Sequence, residues 1–223
     1  MFLTMEWFME NKERLRTGLT DREAGLAAYE LFFRNMELGL GLRELVEKKL
    51  KEKQKIKIFD LGCGKAVALK ELKEIFGEKV HTTGLDAVKT KNHGIDEFIQ
   101  GDALAASFPE NCDIIVSFRA MHEIGECRKM LEKIEHSLSS KGEAILSIRC
   151  QEFRENRIKN LGKIKQGDIE FLEETLAKKR FNSMRVEGKS MPVVLGGVLV
   201  SRTGEKKPGV LKYIAGVNLF LKK

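Results

Sequence analysis

The sequence predicts an α/β fold with a doubly wound, mainly parallel sheet of seven strands. Short apolar runs alternate with stretches whose apolar residues recur at helical spacing. Runs that are almost entirely apolar are typical of parallel strands, because helices cover both faces of such sheets. The last two predicted strands, 181–190 and 211–223, have no helix between them. We therefore expect them to form a C-terminal antiparallel hairpin.

Two helices are predicted before the first strand, over residues 20–38 and 42–53. Thr20 and Glu23 match a capping box at the start of the first helix. The sequence GLG separates the two helices, and the apolar residues of the second helix lie on one face.

Five parallel strands follow, and helices connect the first to the second and the fourth to the fifth. A short polar crossover joins the second strand to the third. The predicted strands are 56–61, 79–85, 97–100, 112–118 and 143–150, and the predicted helices are 66–76, 125–138 and 168–180.

The length of 223 residues suits one α/β domain over 54–223 with a helical N-terminal extension over 1–53. The longest uncharged apolar run, MPVVLGGVLV at 191–200, is too short to span a bilayer. Four cysteines without CxxC spacing indicate neither a zinc site nor a disulfide framework. We therefore expect a cytoplasmic protein with no signal peptide, no membrane partner and no metal.

The net charge of +7 lies in the last third of the chain. Residues 149–223 hold 17 Lys and Arg against 8 Asp and Glu, a balance of +9, and the remainder carries −2. An anionic partner would be attracted to this end first. A lysine-rich solvated surface explains the same charge without a partner.

The turn DLGCGKA at 60–66 follows the first strand and is the strongest candidate for a ligand site. Ligands of open parallel sheets bind beyond the carboxyl ends of the strands, where the strand order reverses. Gly62 and Gly64 allow a ligand to approach the backbone closely, and the next helix offers free N–H groups. A dinucleotide fingerprint would need a small residue at Val67, and a phosphate loop would need Ser or Thr after Lys65.

DLGCGKA resembles the first motif of the class I S-adenosylmethionine-dependent methyltransferases, an acidic residue followed by x-G-x-G-x-G, with Ala66 at the last glycine. Three later segments resemble further motifs of that family in the right order: TGLD, QGDA and CDIIVSFRAMHEI. The resemblance extends from about Ile56 to Cys150. It implies a Rossmann-like methyltransferase fold, S-adenosylmethionine as cofactor and methyl transfer as the activity.

The resemblance also implies a role for each motif. Asp86 would accept the ribose hydroxyls, Asp102 would meet the adenine amino group, and Ser117 to Arg119 would lie beneath the ligand. Aspartates also cap helices and start turns, but three at successive strand ends favour a ligand site. The predicted cofactor contacts are Asp60, Gly62, Cys63, Gly64, Asp86, Ala87, Asp102, Ala103, Ser117 and Arg119.

His122 and Glu123 are the candidate catalytic residues, because they follow the fourth strand, where the family has its substrate pocket. A general base is needed only if the acceptor atom carries a proton, and His122 could instead cap the next helix. HEIGE lacks the second histidine of the zinc motif HExxH, since its fifth residue is Glu126.

The methyl acceptor is predicted to be a small molecule. The segment SFRA lacks the Asn/Asp-Pro-Pro-Tyr/Phe sequence of enzymes that methylate exocyclic amines of bases or glutamine side chains. Helix 20–38 is predicted to roof the pocket, and the candidate lining residues are Trp7, Tyr29, Phe32 and Arg34. An RNA or protein methyltransferase that uses the basic segment 149–165, or a non-catalytic cofactor-binding module, remains an alternative.

Overall fold

The structure is a computed structural model, and it describes most of the chain up to Cys150 and short segments beyond it. The described residues are 25–34, 41–88, 94–118, 120–150, 152–154, 157–159, 167, 170, 184–186, 189–191, 193–194, 201–202 and 213–222. The predictions for Trp7, for most of helix 168–180, and for the side chains of Phe32 and Arg34 lie outside the described part.

Helices and strands alternate through the first two thirds of the chain, as predicted. The helices are α1 Leu26–Arg34, α2 Leu42–Glu52, α3 Val67–Phe76, α4 Met121–Ile124 and α5 Cys127–Ser137. The strands are β1 Ile56–Leu61, β2 Val80–Asp86, β3 Glu97–Gln100, β4 Cys112–Ser117, β5 Leu138–Cys150, β6 Glu152–Arg154, β7 Arg157–Lys159, β8 Met184–Val186, β9 Lys189–Met191, β10 Val193–Val194, β11 Ser201–Arg202 and β12 Tyr213–Lys222.

The main sheet has the order β10-β12-β5-β4-β1-β2-β3, and β11 pairs with β12, which makes eight strands among the described residues. Strands β1 to β5 run parallel to one another, which confirms the predicted parallel α/β fold. The chain adds β2 and β3 on one side of β1 and then β4 and β5 on the other. The strand order therefore reverses between β1 and β4, and the turn after β1 lies at this reversal.

The C-terminal strands differ from the prediction. β12 pairs antiparallel with β5, and its other partners are β10 and β11. β8 and β9, which come from the region of the predicted strand 181–190, pair only with each other in the described part. The seven-strand count and the hairpin between 181–190 and 211–223 are therefore not confirmed among the residues that the structure describes. The apolar run MPVVLGGVLV supplies β10 instead, which pairs with β12 at one edge of the main sheet.

The two faces of β1 and β4 each contribute to a hydrophobic cluster. Phe59 and Ile115 pack with α5 residues on one face, while Ile58 and Ile114 pack with α2 and α3 residues on the other. Adjacent residues of a strand point to opposite faces, so these near-continuous apolar strands require helices on both sides. The buried central strands hold the turn after β1 in a rigid frame.

Helices α1 and α2 contribute to the same core as the sheet. Leu26, Tyr29, Leu42 and Val46 lie in one cluster with residues of β1 and α3. The division between an extension over 1–53 and a domain over 54–223 stays a prediction. No helix in the described residues is both long and apolar enough to cross a membrane.

Candidate active site

The turn after β1 adopts left-handed backbone conformations that favour glycine. Gly62 has φ +78°, Gly64 has φ +56°, and Ala66 has φ 54°. The N–H groups of Gly62 and Cys63 both donate to the carbonyl oxygen of Leu85, at 2.7 and 3.1 Å. Ala66 adopts this conformation with a side chain, at a position where the family motif has glycine, so the turn stores some backbone strain there.

The backbone at Gly62 also lies against the segment after β4. A Cβ atom at Gly62 would be 2.2 Å from the Cβ of Ala120, which is far closer than two carbon atoms can approach. The sequence predicted that Gly62 provides room for a ligand. The structure shows that a neighbouring residue of the protein also requires glycine here. The sequence has no pattern that indicates the contact with Ala120.

Asp86, at the end of β2, connects the ends of the first two strands. Its Oδ2 accepts a hydrogen bond from the Gly64 N–H at 2.9 Å, and its Oδ1 accepts one from the Val88 N–H at 2.9 Å. A carboxylate has about four acceptor positions, so each oxygen can accept a further hydrogen bond. The two backbone contacts fix the orientation of a half-buried carboxylate beside the glycine turn. Ala87, the next residue, is exposed.

Asp60 is a buried carboxylate with only one of its oxygens hydrogen-bonded among the described residues. The Tyr29 hydroxyl of α1 donates to Oδ2 at 2.7 Å, whereas Oδ1 is buried and has no partner in the described part of the chain. Burial raises the pKa of Asp60 to about 7, the hydrogen bond from Tyr29 opposes this shift, and the charge of Asp86 adds to it. An orphaned buried oxygen is costly for stability, and such groups occur at functional sites.

Tyr29 of α1 contacts both Asp60 and the segment after β4. Its ring lies tilted against the ring of Phe118, with the centroids 5.0 Å apart. Burial and the nearby Asp60 raise the pKa of the Tyr29 hydroxyl, so it remains a hydrogen-bond donor at neutral pH. Sequence reasoning named Tyr29 as a candidate lining residue but had no signal for its bond to Asp60.

Cys63 lies in the same turn and is buried. Burial is the main cause that raises the pKa of its thiol, and the negative charges of Asp60 and Asp86 raise it further. The thiol therefore stays protonated and is a poor nucleophile.

Asp102 and Ala103 follow β3 and start a tight turn. The Asp102 Oδ1 accepts a hydrogen bond from the Leu104 N–H at 2.9 Å, and the Asp102 side chain is exposed, whereas Ala103 is buried. The Gly101 N–H donates to the Asp86 carbonyl oxygen at 3.0 Å, so the ends of β2 and β3 are joined. Asp102 therefore starts a turn and also lies next to the other strand ends.

The residues predicted after β4 are only partly described. The Ser117 hydroxyl is buried and donates to the Leu61 carbonyl oxygen at 2.8 Å, so it links β4 to β1. Arg119 and the side chain of His122 lie outside the described part, although the backbone of His122 belongs to α4. Glu123 is exposed on the same short helix. A catalytic role for His122 or Glu123 stays a prediction.

The family model described as "Methyltransferase domain" matches residues 52–188, which is more than half of the chain. The chain belongs to this family. It is a class I S-adenosylmethionine-dependent methyltransferase, as the motifs and the sheet predicted, and its cofactor is S-adenosylmethionine. A search of curated proteins finds no match.

This methyltransferase is similar to several solved structures at low sequence identity. A S-adenosylmethionine-dependent methyltransferase from Aquifex aeolicus is 20% identical, with a TM-score of 0.45 and coverage of 79% of this chain and 89% of that one. The YcgJ protein from Bacillus subtilis is 12% identical, with a TM-score of 0.49 and coverage of 80% and 97%. The MccD protein is 11% identical, with a TM-score of 0.50 and coverage of 80% and 96%.

Proposed function

We propose that this methyltransferase transfers the methyl group of S-adenosylmethionine to a small-molecule acceptor. The observation that carries the proposal is the position of α1. Its Tyr29 is buried, bonded to Asp60 near the carboxyl end of β1, and in ring contact with Phe118 just after β4. We infer from these two contacts that α1 lies over this end of β1 and β4, and a covered site would suit a small acceptor better than a macromolecule.

The proposed donor contacts use acceptor positions of carboxylates at the strand ends that the described hydrogen bonds do not fill. Asp86 would accept the ribose hydroxyls with its remaining lone pairs, and the Gly62–Gly64 turn would pass close to the ligand without side chains. Asp102 would accept the adenine amino group. The orphaned Oδ1 of Asp60 suits a positively charged group such as the ammonium of the methionine moiety.

The cofactor supplies an electrophilic methyl group on a sulfonium centre. The main task of the protein is therefore to hold the donor and the acceptor in line, and such orientation can lower the barrier by about 7 to 11 kcal/mol. His122 or Glu123 would remove a proton only if the reacting atom of the acceptor carries one. This requirement makes the pH dependence of the reaction informative about the acceptor class.

The acceptor class can be tested with methyl-labelled S-adenosylmethionine and a cell extract. The extract is separated into low-molecular-mass, RNA and protein fractions, and each is incubated with the enzyme. We expect label in the low-molecular-mass fraction, and none with the Asp86→Ala variant. Label found only in the RNA or the protein fraction would contradict a small-molecule acceptor.

An RNA methyltransferase is the second candidate, and the charge of the last third of the chain favours it. β6 and β7 form an antiparallel pair in which Arg154 lies opposite Arg157. A protein that neutralises phosphates loses affinity with salt, at a log–log slope of about −0.7 per contact on single strands. We expect no RNA binding tighter than about micromolar at physiological salt. Tight, salt-sensitive binding that is lost when Arg154, Arg157 and Lys159 are changed to Glu would establish the RNA alternative.

We also propose a cytoplasmic setting. Cys63, Cys112 and Cys127 are free thiols buried in the core, as a reducing compartment would allow.

A further inference from the structure

Lys133 holds the 102–106 turn after β3 from another element. It lies on α5, and its ammonium donates to the backbone carbonyl oxygens of Ala103, Leu104 and Ala106, at 2.6, 3.1 and 2.7 Å. An ammonium has three N–H donors, and here all three have an acceptor in one turn. The same ammonium lies 4.4 Å from the centroid of the Phe108 ring, a cation–π geometry.

The turn needs such a partner because it has no helix. Residues 101–111 connect β3 to β4, are described throughout, and contain only turns and bends. In a helical crossover the carbonyl groups would accept N–H groups four residues later, but here three of them point toward a single cation. Lys133 therefore supplies the donors that the missing helix would otherwise provide.

The same turn carries the side chains predicted to meet the adenine. Asp102 is bonded to the Leu104 N–H, and its carbonyl oxygen accepts the N–H groups of Ala105 and Ala106, at 3.0 and 2.8 Å. Lys133 contacts the carbonyl groups of residues within this turn, so a displacement of its ammonium would move the Asp102 carboxylate. Lys133 itself contacts the loop and acts through it.

We propose that Lys133 is a positioning residue that holds the 102–106 turn in the conformation in which Asp102 recognises the adenine amino group of the donor. This inference rests on the proposed contact between Asp102 and adenine. It predicts that Lys133 affects the recognition of the base more than the overall affinity for the rest of the ligand.

The test compares two probes that differ at the base. S-Adenosylhomocysteine carries the amino group, and S-inosylhomocysteine carries a carbonyl oxygen in its place, which would repel the Asp102 carboxylate. The variants are Lys133→Met, which removes the ammonium, Lys133→Gln, which retains two donors, and Lys133→Arg, which retains the charge. Lys129→Met is the matched control, because Lys129 lies one turn earlier on α5 with its side chain 56% exposed.

Calorimetry should show that the wild type binds the adenosyl probe more tightly than the inosyl probe. Lys133→Met should weaken binding of the adenosyl probe about tenfold, the effect of one displaced charge-assisted hydrogen bond, and leave binding of the inosyl probe nearly unchanged. Lys133→Gln should lie between Lys133→Met and the wild type, so the comparison stands even if Lys133→Met does not fold. Lys133→Arg should recover most of the preference, and Lys129→Met should match the wild type.

Two results would overturn the proposal in distinguishable ways. Equal loss of affinity for both probes in the folded Lys133 variants would show a purely structural role for Lys133. A wild type that binds both probes equally well would show that Asp102 does not read the amino group, so the proposed donor contact itself would fail.

Discussion

At the scale of single residues, the buried carboxylate of Asp60 lowers the stability of the fold at a position in the proposed site. Its pKa of about 7 in the folded protein lies above the ordinary value of 3.8. The protonated form is therefore favoured on folding, and stability is lost as the pH rises from about 4 through 7. At this position an apolar or amide side chain would cost less free energy to bury than a carboxylate with one orphaned oxygen.

Asp60→Asn should therefore gain stability relative to the wild type as the pH rises. The amide has no charge to bury, so the difference in the free energy of unfolding between variant and wild type should increase by roughly 2 to 3 kcal/mol from pH 5 to pH 8. Denaturant unfolding at both pH values measures this difference.

Asp96→Asn is the matched control for Asp60→Asn. Burial raises the pKa of Asp96, but hydrogen bonds from Lys73 and Thr82 outweigh it and hold the pKa at about 2. Both the folded and the unfolded forms of Asp96 are then ionised from pH 5 to pH 8, so this variant should lose the same stability at both values. A constant difference for Asp60→Asn as well would contradict the raised pKa of Asp60.

Among the proposed donor contacts, substitution of Asp86 should weaken donor binding most in comparison with its effect on protein stability. Asp86→Ala removes the proposed contacts to the ribose, and each charge-assisted hydrogen bond contributes about 1.5 to 3 kcal/mol. We expect the affinity for S-adenosylhomocysteine to fall at least about tenfold, measured by calorimetry. Glu97→Gln changes an exposed carboxylate on the neighbouring strand and should leave the affinity unchanged. Unaltered binding by a folded Asp86→Ala protein would remove the ribose assignment.

At the scale of elements, the glycine turn joins β1 to the segment after β4. The contact with Ala120 and the positive φ are two separate reasons for glycine at position 62, and they can be measured separately. Gly77 has a similar φ of +57°, but a Cβ there would meet nothing within 4 Å. With ψ −134°, Gly77 lies outside the left-handed helical region, so Gly77→Ala measures the cost of a positive φ without a clash, about 1 to 3 kcal/mol.

Gly62→Ala should be more destabilising than the same substitution in an Ala120→Gly background, because it adds a clash of the kind that costs about 1 to 3 kcal/mol. The double variant Gly62→Ala with Ala120→Gly removes the clash, so its loss of stability relative to Ala120→Gly alone should be smaller than the loss that Gly62→Ala causes in the wild type. Thermal and denaturant unfolding of the four variants provides the comparison. If Ala120→Gly recovers nothing, the packing between the two segments is not the reason for Gly62.

At the scale of the whole molecule, the second helix before β1 is joined to β5, which lies two strands away from β1 in the sheet. Lys49 of α2 forms a buried ion pair with Glu143 of β5 at 3.1 Å and donates to the Lys141 carbonyl oxygen at 2.6 Å. The two residues are 94 positions apart, so this pair joins the start of the described chain to its centre. The helices before β1 thereby share one hydrophobic core with the sheet.

Lys49→Met should lower the free energy of unfolding by about 3 kcal/mol or more, because it removes the ion-pair partner of a buried carboxylate. The double variant Lys49→Met with Glu143→Leu should recover much of this loss, since an apolar pair of similar volume is often neutral. Arg43→Met breaks an exposed pair with Glu47 on the same helix and should cost less than about 1 kcal/mol. Equal effects of Lys49→Met and Arg43→Met would show that the buried pair does not join the helix to the sheet.

The sequence by itself determined the parallel sheet, its first five strands, and the position of the glycine turn. These features depend on local patterns: strand periodicity, the left-handed turn at Gly62 and Gly64, and an acidic residue at the end of β2. The family motifs added Asp102 because parallel strands bring their carboxyl ends to one edge.

Only the tertiary structure decided which residues from distant segments meet at that edge. The bond from Tyr29 to Asp60, the contact of Gly62 with Ala120 and the three bonds of Lys133 join residues far apart in the chain. The same holds for β10 and β11 as partners of β12, where the sequence predicted a different hairpin. Such contacts produce no periodic pattern in the local sequence. They depend on how the core packs and on which polar groups the packed core isolates from water.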